Sequence, residues 1–92
     1  MAQSLSDLVG DVITKYHLQA VLDEERVPDT WREVIGPALA ARTQVRGFYA
    51  GMLRIHVPDA VWRLELTARR EELRVSINAR LGREVVREIT FR

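Results

Sequence analysis

Residues 43–57 read TQVRGFYAGMLRIHV, and the fold turns on how this run is paired. It is rich in β-branched and aromatic side chains, and Leu53, Ile55 and Val57 alternate with Met52, Arg54 and His56. Alternation of period two marks a strand with one apolar face. Ala50-Gly51 interrupts the run at its middle, so the spacing predicts a β-hairpin with Gly51 in the turn. The one apolar face of the sheet needs helices to cover it, and the flanking residues supply them.

Downstream, Pro58 ends the second strand and Asp59 is placed to cap a helix. Trp62, Leu66, Leu73, Ile77 and Leu81 form one helical stripe, broken at residues 67–70, TARR. That gap predicts two helices, or one bent helix, with a junction at TARR. Gly82 is a C-terminal stop. The tail EVVREITFR, residues 84–92, places Val85, Ile89 and Phe91 on one face of a third strand.

Upstream, Leu5, Leu8, Val9, Val12, Ile13 and Tyr16 have helical spacing, with Ser4 or Ser6 as the cap and an end expected near His17. Leu18, Val21 and Leu22 continue a helical pattern into the acidic run Asp23-Glu24-Glu25. Pro28 is then expected to restart a helix carrying Trp31, Val34 and Ile35, which Gly36-Pro37 breaks or kinks. The reading is therefore α+β: α-β-β-α-α-β behind an extra N-terminal helix, with a three-stranded sheet covered by helices on one face.

The chain has 92 residues, 47% apolar and 29% charged, enough for one core and a single domain over 1–92. It has no cysteine, which excludes disulfides and thiolate metal sites and suits a reducing cytosol. No run is apolar enough to cross a membrane, and the N-terminus lacks a signal-peptide pattern. The expectation is a cytoplasmic protein with no membrane partner.

The net charge of +1 conceals an asymmetry. Residues 1–41 carry three bases and seven acids, a balance of −4. Residues 42–92 carry eleven arginines and six acids, a balance of +5. Arginine, whose planar fork grips phosphate and stacks on flat rings, is the only base in the second half.

Catalytic chemistry finds little support. His17 and His56 have no metal-ligand spacing, the serines at 4, 6 and 76 lack a nucleophile elbow, and there is no phosphate-cradling glycine loop. Asp59 is better explained as a cap than as an acid catalyst, and Trp31 and Trp62 fall in register with aliphatic stripes, as core anchors do. We expect no enzyme, no cofactor and no metal. The candidate binding residues are arginines: Arg63, Arg70 and Arg74 along one side of the third-quarter helices, Arg69 at their junction, and Arg46 and Arg54 from the hairpin. Composition alone reads the helical ones as a solvated face neutralised by Glu65, Glu71 and Glu72.

Trp31, VIG at 34–36, LAART at 39–43, GMLRIHV at 51–57, AVWRLEL at 60–66, IN at 77–78 and LG at 81–82 occur in an order that resembles the DciA-type family of bacterial replicative-helicase loaders. The resemblance spans nearly the whole chain. It implies a fold similar to type II KH domains, which share the element order read above. It implies association with the DnaB-type replicative helicase and with DNA, single-stranded or structured. KH domains clamp nucleic acid with a GXXG loop; here Thr67-Ala68-Arg69-Arg70 stands in that place, so arginine side chains become the expected phosphate contacts and the affinity is expected to be weak. The acidic run Asp23, Glu24 and Glu25 is the expected helicase contact. A protein-interaction adaptor whose arginines merely solubilise it is the alternative.

Overall fold

The computed structural model describes residues 5–92. The expected Ser4 cap, and the side chains at 5, 8 and 13 of the predicted N-terminal stripe, lie outside the described residues.

The hairpin forms as its alternation predicts. Strand β1 (Gln44–Tyr49) and strand β2 (Met52–His56) pair antiparallel, with Val45 opposite Ile55 and Phe48 opposite Leu53. The turn residues Ala50 and Gly51 have φ of 52° and 82°. Positive φ at both central positions is the geometry whose twist matches the flanking strands. Gly51 is required twice over: a Cβ there would sit 2.9 Å from the Cγ and Cδ of Arg87.

The pairing slips between Val45 and Gly47, so Arg46 is the extra residue of a bulge on an edge strand. Strand β3 (Glu88–Phe91) pairs parallel to β2, with Leu53 opposite Ile89 and Ile55 opposite Phe91, giving the order β1-β2-β3. Leu53, Ile55 and Ile89 are buried on one side of the sheet, where the helices pack.

Helix α1 (Leu5–Ala40) corrects the expectation of a separate N-terminal helix ending near His17. Pro28 lies inside it and starts nothing. Residues 11–27 contain neither glycine nor proline, so nothing in the backbone stops the helix there, and a proline within a helix forfeits one hydrogen bond without forcing a chain reversal. The break comes at Gly36, as the Gly36-Pro37 pair predicts: its φ of 81° and ψ of 165° leave the helical region before Pro37.

Helix α2 (Ala60–Ala68) is capped by Asp59, whose carboxylate accepts from the N–H groups of Val61 at 2.8 Å and Trp62 at 3.0 Å. Helix α3 (Arg70–Leu81) follows after the single residue Arg69 and ends at Gly82, left-handed with φ 82°. The interruption in the apolar stripe is thus a junction between two helices.

Val27 and Trp31 of α1, Leu66 of α2 and Leu73, Ile77 and Leu81 of α3 complete the core, with Trp31 tilted against Phe91 at 5.8 Å between ring centroids. Trp31 is buried, and its indole N–H donates to the Thr43 hydroxyl at 3.3 Å while that hydroxyl donates to the Leu39 carbonyl. Trp62, expected as an equal anchor, is only half-buried and packs against the rim of the core. Val85, expected on the third strand, precedes it in the loop, where Val86 takes the fully buried place.

Candidate nucleic-acid interface

The helices cover one side of the sheet and leave the other open. Strand parity decides what that side carries. Opposite the buried Leu53 and Ile55, β2 turns out Met52, Arg54 and His56; β1 brings Tyr49, Gly47 and Gln44 beside them; β3 adds Glu88 and Thr90, followed by Arg92. Arg46, displaced by the bulge, lines a shallow cavity of about 330 Å3 with Arg54, Ile55, His56, Thr90 and Arg92. Two candidates that lie far apart in purpose on paper, the bulge residue Arg46 and the strand residue Arg54, are thereby brought to one place.

Arg54 lies across its glycine partner on β1. A Cβ at Gly47 would lie 3.6 Å from an Arg54 guanidinium nitrogen. His56 is oriented by the end of the neighbouring strand, its Nδ1 standing 3.0 Å from the Arg92 carbonyl. Because a carbonyl only accepts, Nδ1 holds the proton of that bond. Among the described residues no carboxylate pairs with Arg46, Arg54 or Arg92.

The helical arginines are placed differently. Arg74 is gripped: its guanidinium bonds Glu71 at 2.6 and 2.9 Å, lies 3.5 Å from Glu84, and reaches the Val86 carbonyl. The hydrogen bond from Arg74 holds the Glu71 carboxyl below the usual carboxylate range, and the same bond raises Arg74. Arg63 donates to the Val57 carbonyl at 3.3 Å, tying α2 to the end of β2. Arg69 faces Glu72 at 3.6 Å, and its backbone N–H is consumed by the Glu65 and Leu66 carbonyls. Arg70 is exposed on the first turn of α3. The α2–α3 junction is one residue long, and no glycine stands at 67–70.

The acidic run also divides. Asp23 is buried, bonded to Arg83 at 3.1 Å and to the Gln19 amide at 2.9 Å. It holds α1 against the loop before β3 and is not presented to a partner, contrary to the expectation for the run. Glu24 and Glu25 are exposed. Glu24 lines an open groove of about 430 Å3 between α1, the hairpin tip and the loop at 83–87. Among the described residues no cluster of acids and histidines could hold a metal ion, and no helix is long and apolar enough to cross a membrane.

The sequence reading set His56 on the strand face that bears Arg54 but counted none of Arg92, His56 and Tyr49 among the binding residues. The signal was present for one of them: His56 shares the parity of Arg54 on β2. Arg92 could not be added without knowing that β3 lies beside β2.

The family model described as Dna[CI] antecedent, DciA, matches residues 4–91. The chain belongs to the DciA family. Membership associates this DciA domain with loading of the DnaB replicative helicase, in a family of loaders rather than catalysts. Among curated proteins none matches the sequence significantly. The motifs that carry the family likeness now have physical roles. Thr43 of LAART holds the Trp31 indole, Gly51 makes the turn, and Asn78 of the IN pair clamps the loop before β3 through three bonds to the backbone of Val85 and Val86.

Proposed function

We propose that this DciA domain is a non-enzymatic module that meets the replicative helicase through the acidic exposed side of α1 and nucleic acid through arginines of its basic half. The observation that carries the reading is the partition of charge: Glu24 and Glu25 stand on the helix, while Arg46, Arg54 and Arg92 stand without carboxylate partners on the open sheet. A domain that contacts a protein on one side and phosphates on another needs such a division, because complementary potentials orient each encounter. The KH-like element order supports the same reading, although the missing GXXG loop moves the phosphate contacts to side chains.

Calorimetry with the helicase of the same organism tests the protein contact. Glu24→Lys with Glu25→Lys is expected to weaken association while leaving the fold and DNA affinity intact. Asp23 is left out because its removal would strand Arg83. No association of the wild-type domain at micromolar concentrations would refute the helicase role; association unaffected by the reversal would move the contact elsewhere. The adaptor alternative predicts helicase binding with no nucleic-acid binding even at low salt.

A further inference from the structure

We infer that the open face of the sheet is a binding site for a single strand of nucleic acid, with phosphate gripped at the Arg46, Arg54 and Arg92 end and a base stacked on Tyr49 at the other. This deepens the nucleic-acid part of the reading above and rests on it.

The face is organised in rows across the strands. One row joins Gln44 and His56 to Arg92, the next joins Gly47, Arg54 and Thr90, and the last joins Tyr49, Met52 and Glu88. Positive charge is concentrated in the first two rows, with Arg46 added by the bulge. The last row has no arginine; it has the carboxylate of Glu88, which repels phosphate, and Tyr49, at 82% the most exposed of the large hydrophobic side chains described.

An aromatic that exposes most of its ring on an open sheet, beside a thioether and away from the core, loses apolar burial for no structural return. Its chemistry suits a nucleobase, which has a π-face whatever its sequence. The separation fits one step of an extended strand: Tyr49 and Met52 lie two residues along from Arg54, about 7 Å at the rise of a β-strand.

The geometry selects a single strand over a duplex. A three-stranded sheet is only two interstrand spacings wide, about 10 Å, and its flat open face carries no helix to enter a groove. The polarity of the face also excludes uniform tracking by phosphates, since Glu88 sits at one end. Gly47 contributes by having no side chain: the Arg54 guanidinium lies over it, 3.6 Å from where a Cβ would stand, and so is held on the open face.

The test is fluorescence anisotropy of a short labelled oligothymidine at low salt, with each variant checked by circular dichroism. Arg46→Glu with Arg54→Glu is expected to weaken binding at least about tenfold and to reduce the salt slope by about 1.4 units, the loss of two phosphate contacts on a single strand. Tyr49→Ala is expected to weaken binding by about five- to a hundredfold with the salt slope unchanged, the mark of lost stacking. Arg69→Glu with Arg70→Glu is expected to retain most of the affinity.

Loss of binding in the Arg69 and Arg70 variant with retention in the sheet variants would overturn the assignment to this face and leave nucleic-acid binding itself standing. No binding by the wild-type domain would overturn both. Equal affinity for duplex, with no effect of Tyr49→Ala, would overturn the single-strand assignment. Amide shifts of the wild-type domain on adding the oligonucleotide, expected at Tyr49, Arg54, His56 and Thr90 and not at residues 68–72, decide the matter even where a variant fails to fold.

Discussion

Asn78 shows how one side chain can close a loop that lacks regular structure. Its carbonyl oxygen accepts from the N–H groups of Val85 and Val86 at 3.0 and 2.9 Å, and its amide donates to the Val86 carbonyl at 2.8 Å. These bonds satisfy backbone that no ladder reaches and allow Val86 to be buried completely. Asn78→Ala leaves three polar groups wanting partners in a partly buried loop, and is expected to cost about 2–4 kcal/mol in urea unfolding. Asn78→Asp keeps both acceptor bonds but removes the donor to Val86, so its cost should be smaller. Negligible losses from both would mean that the loop is held by packing alone.

At the scale of the element, the hairpin turn carries a defect that chemistry can remove. Ala50 is the one described non-glycine residue with positive φ, and it pays the Cβ penalty of the left-handed region. Ala50→Asn gives the Asn-Gly pair preferred for this turn and is expected to stabilise the domain by about 0.5–1 kcal/mol in thermal or urea melts. Gly51→Ala must destabilise, because strain at φ 82° adds to the close approach of Arg87. A second element-level device is the Glu71–Arg74 pair in α3. Glu71 titrates below its ordinary range in the folded chain. Its contribution is therefore present above the carboxyl's unfolded value and is lost as pH falls through the depressed folded one. Glu71 is exposed, so the effect is small and screened by salt. Glu71→Gln is expected to lower the melting temperature slightly at neutral pH and to converge with wild type in acid; a gap that persists once the carboxyl is protonated in the folded chain would contradict the ionic origin.

The whole molecule is longer than its core requires. Its extents are 63 × 20 × 19 Å and its radius of gyration is 16.8 Å, against about 12 Å for a compact chain of this length. The excess is the N-terminal part of α1, where Val9, Val12, Tyr16 and Leu18 are exposed although their spacing is that of a packed stripe. Burial on α1 begins at Asp23 and Val27. A chain beginning at Gln19 should therefore melt within a few degrees of the full chain, since the described side chains that it removes are exposed and contribute little. A large fall in melting temperature would show that the projecting helix is packed in solution.

What the sequence alone determined here is whatever rests on local spacing and backbone chemistry. The hairpin was legible because alternation and Ala50-Gly51 act over a few residues, the Asp59 cap because it bonds residues two and three positions on, and the α2–α3 junction because the stripe lapses at residues 67–70. Tertiary structure decided what depends on distant neighbours. Periodicity shows that Val9, Val12 and Tyr16 share a helical side, but not whether anything covers it; the same limit applies to Trp62, which shares the stripe of Leu66 yet stays at the rim. Charge spacing likewise grouped Arg63, Arg70 and Arg74, whereas Glu84 and the Val86 carbonyl, brought to Arg74 by the loop after α3, engage that arginine in the fold. The candidate face was half legible, since Arg54 and His56 share strand parity, but Arg92 joins them only because β3 pairs parallel to β2. Parallel pairing is set by the α2–α3 crossover and the burial of Ile89, interactions between residues far apart in the chain that no short-range pattern encodes.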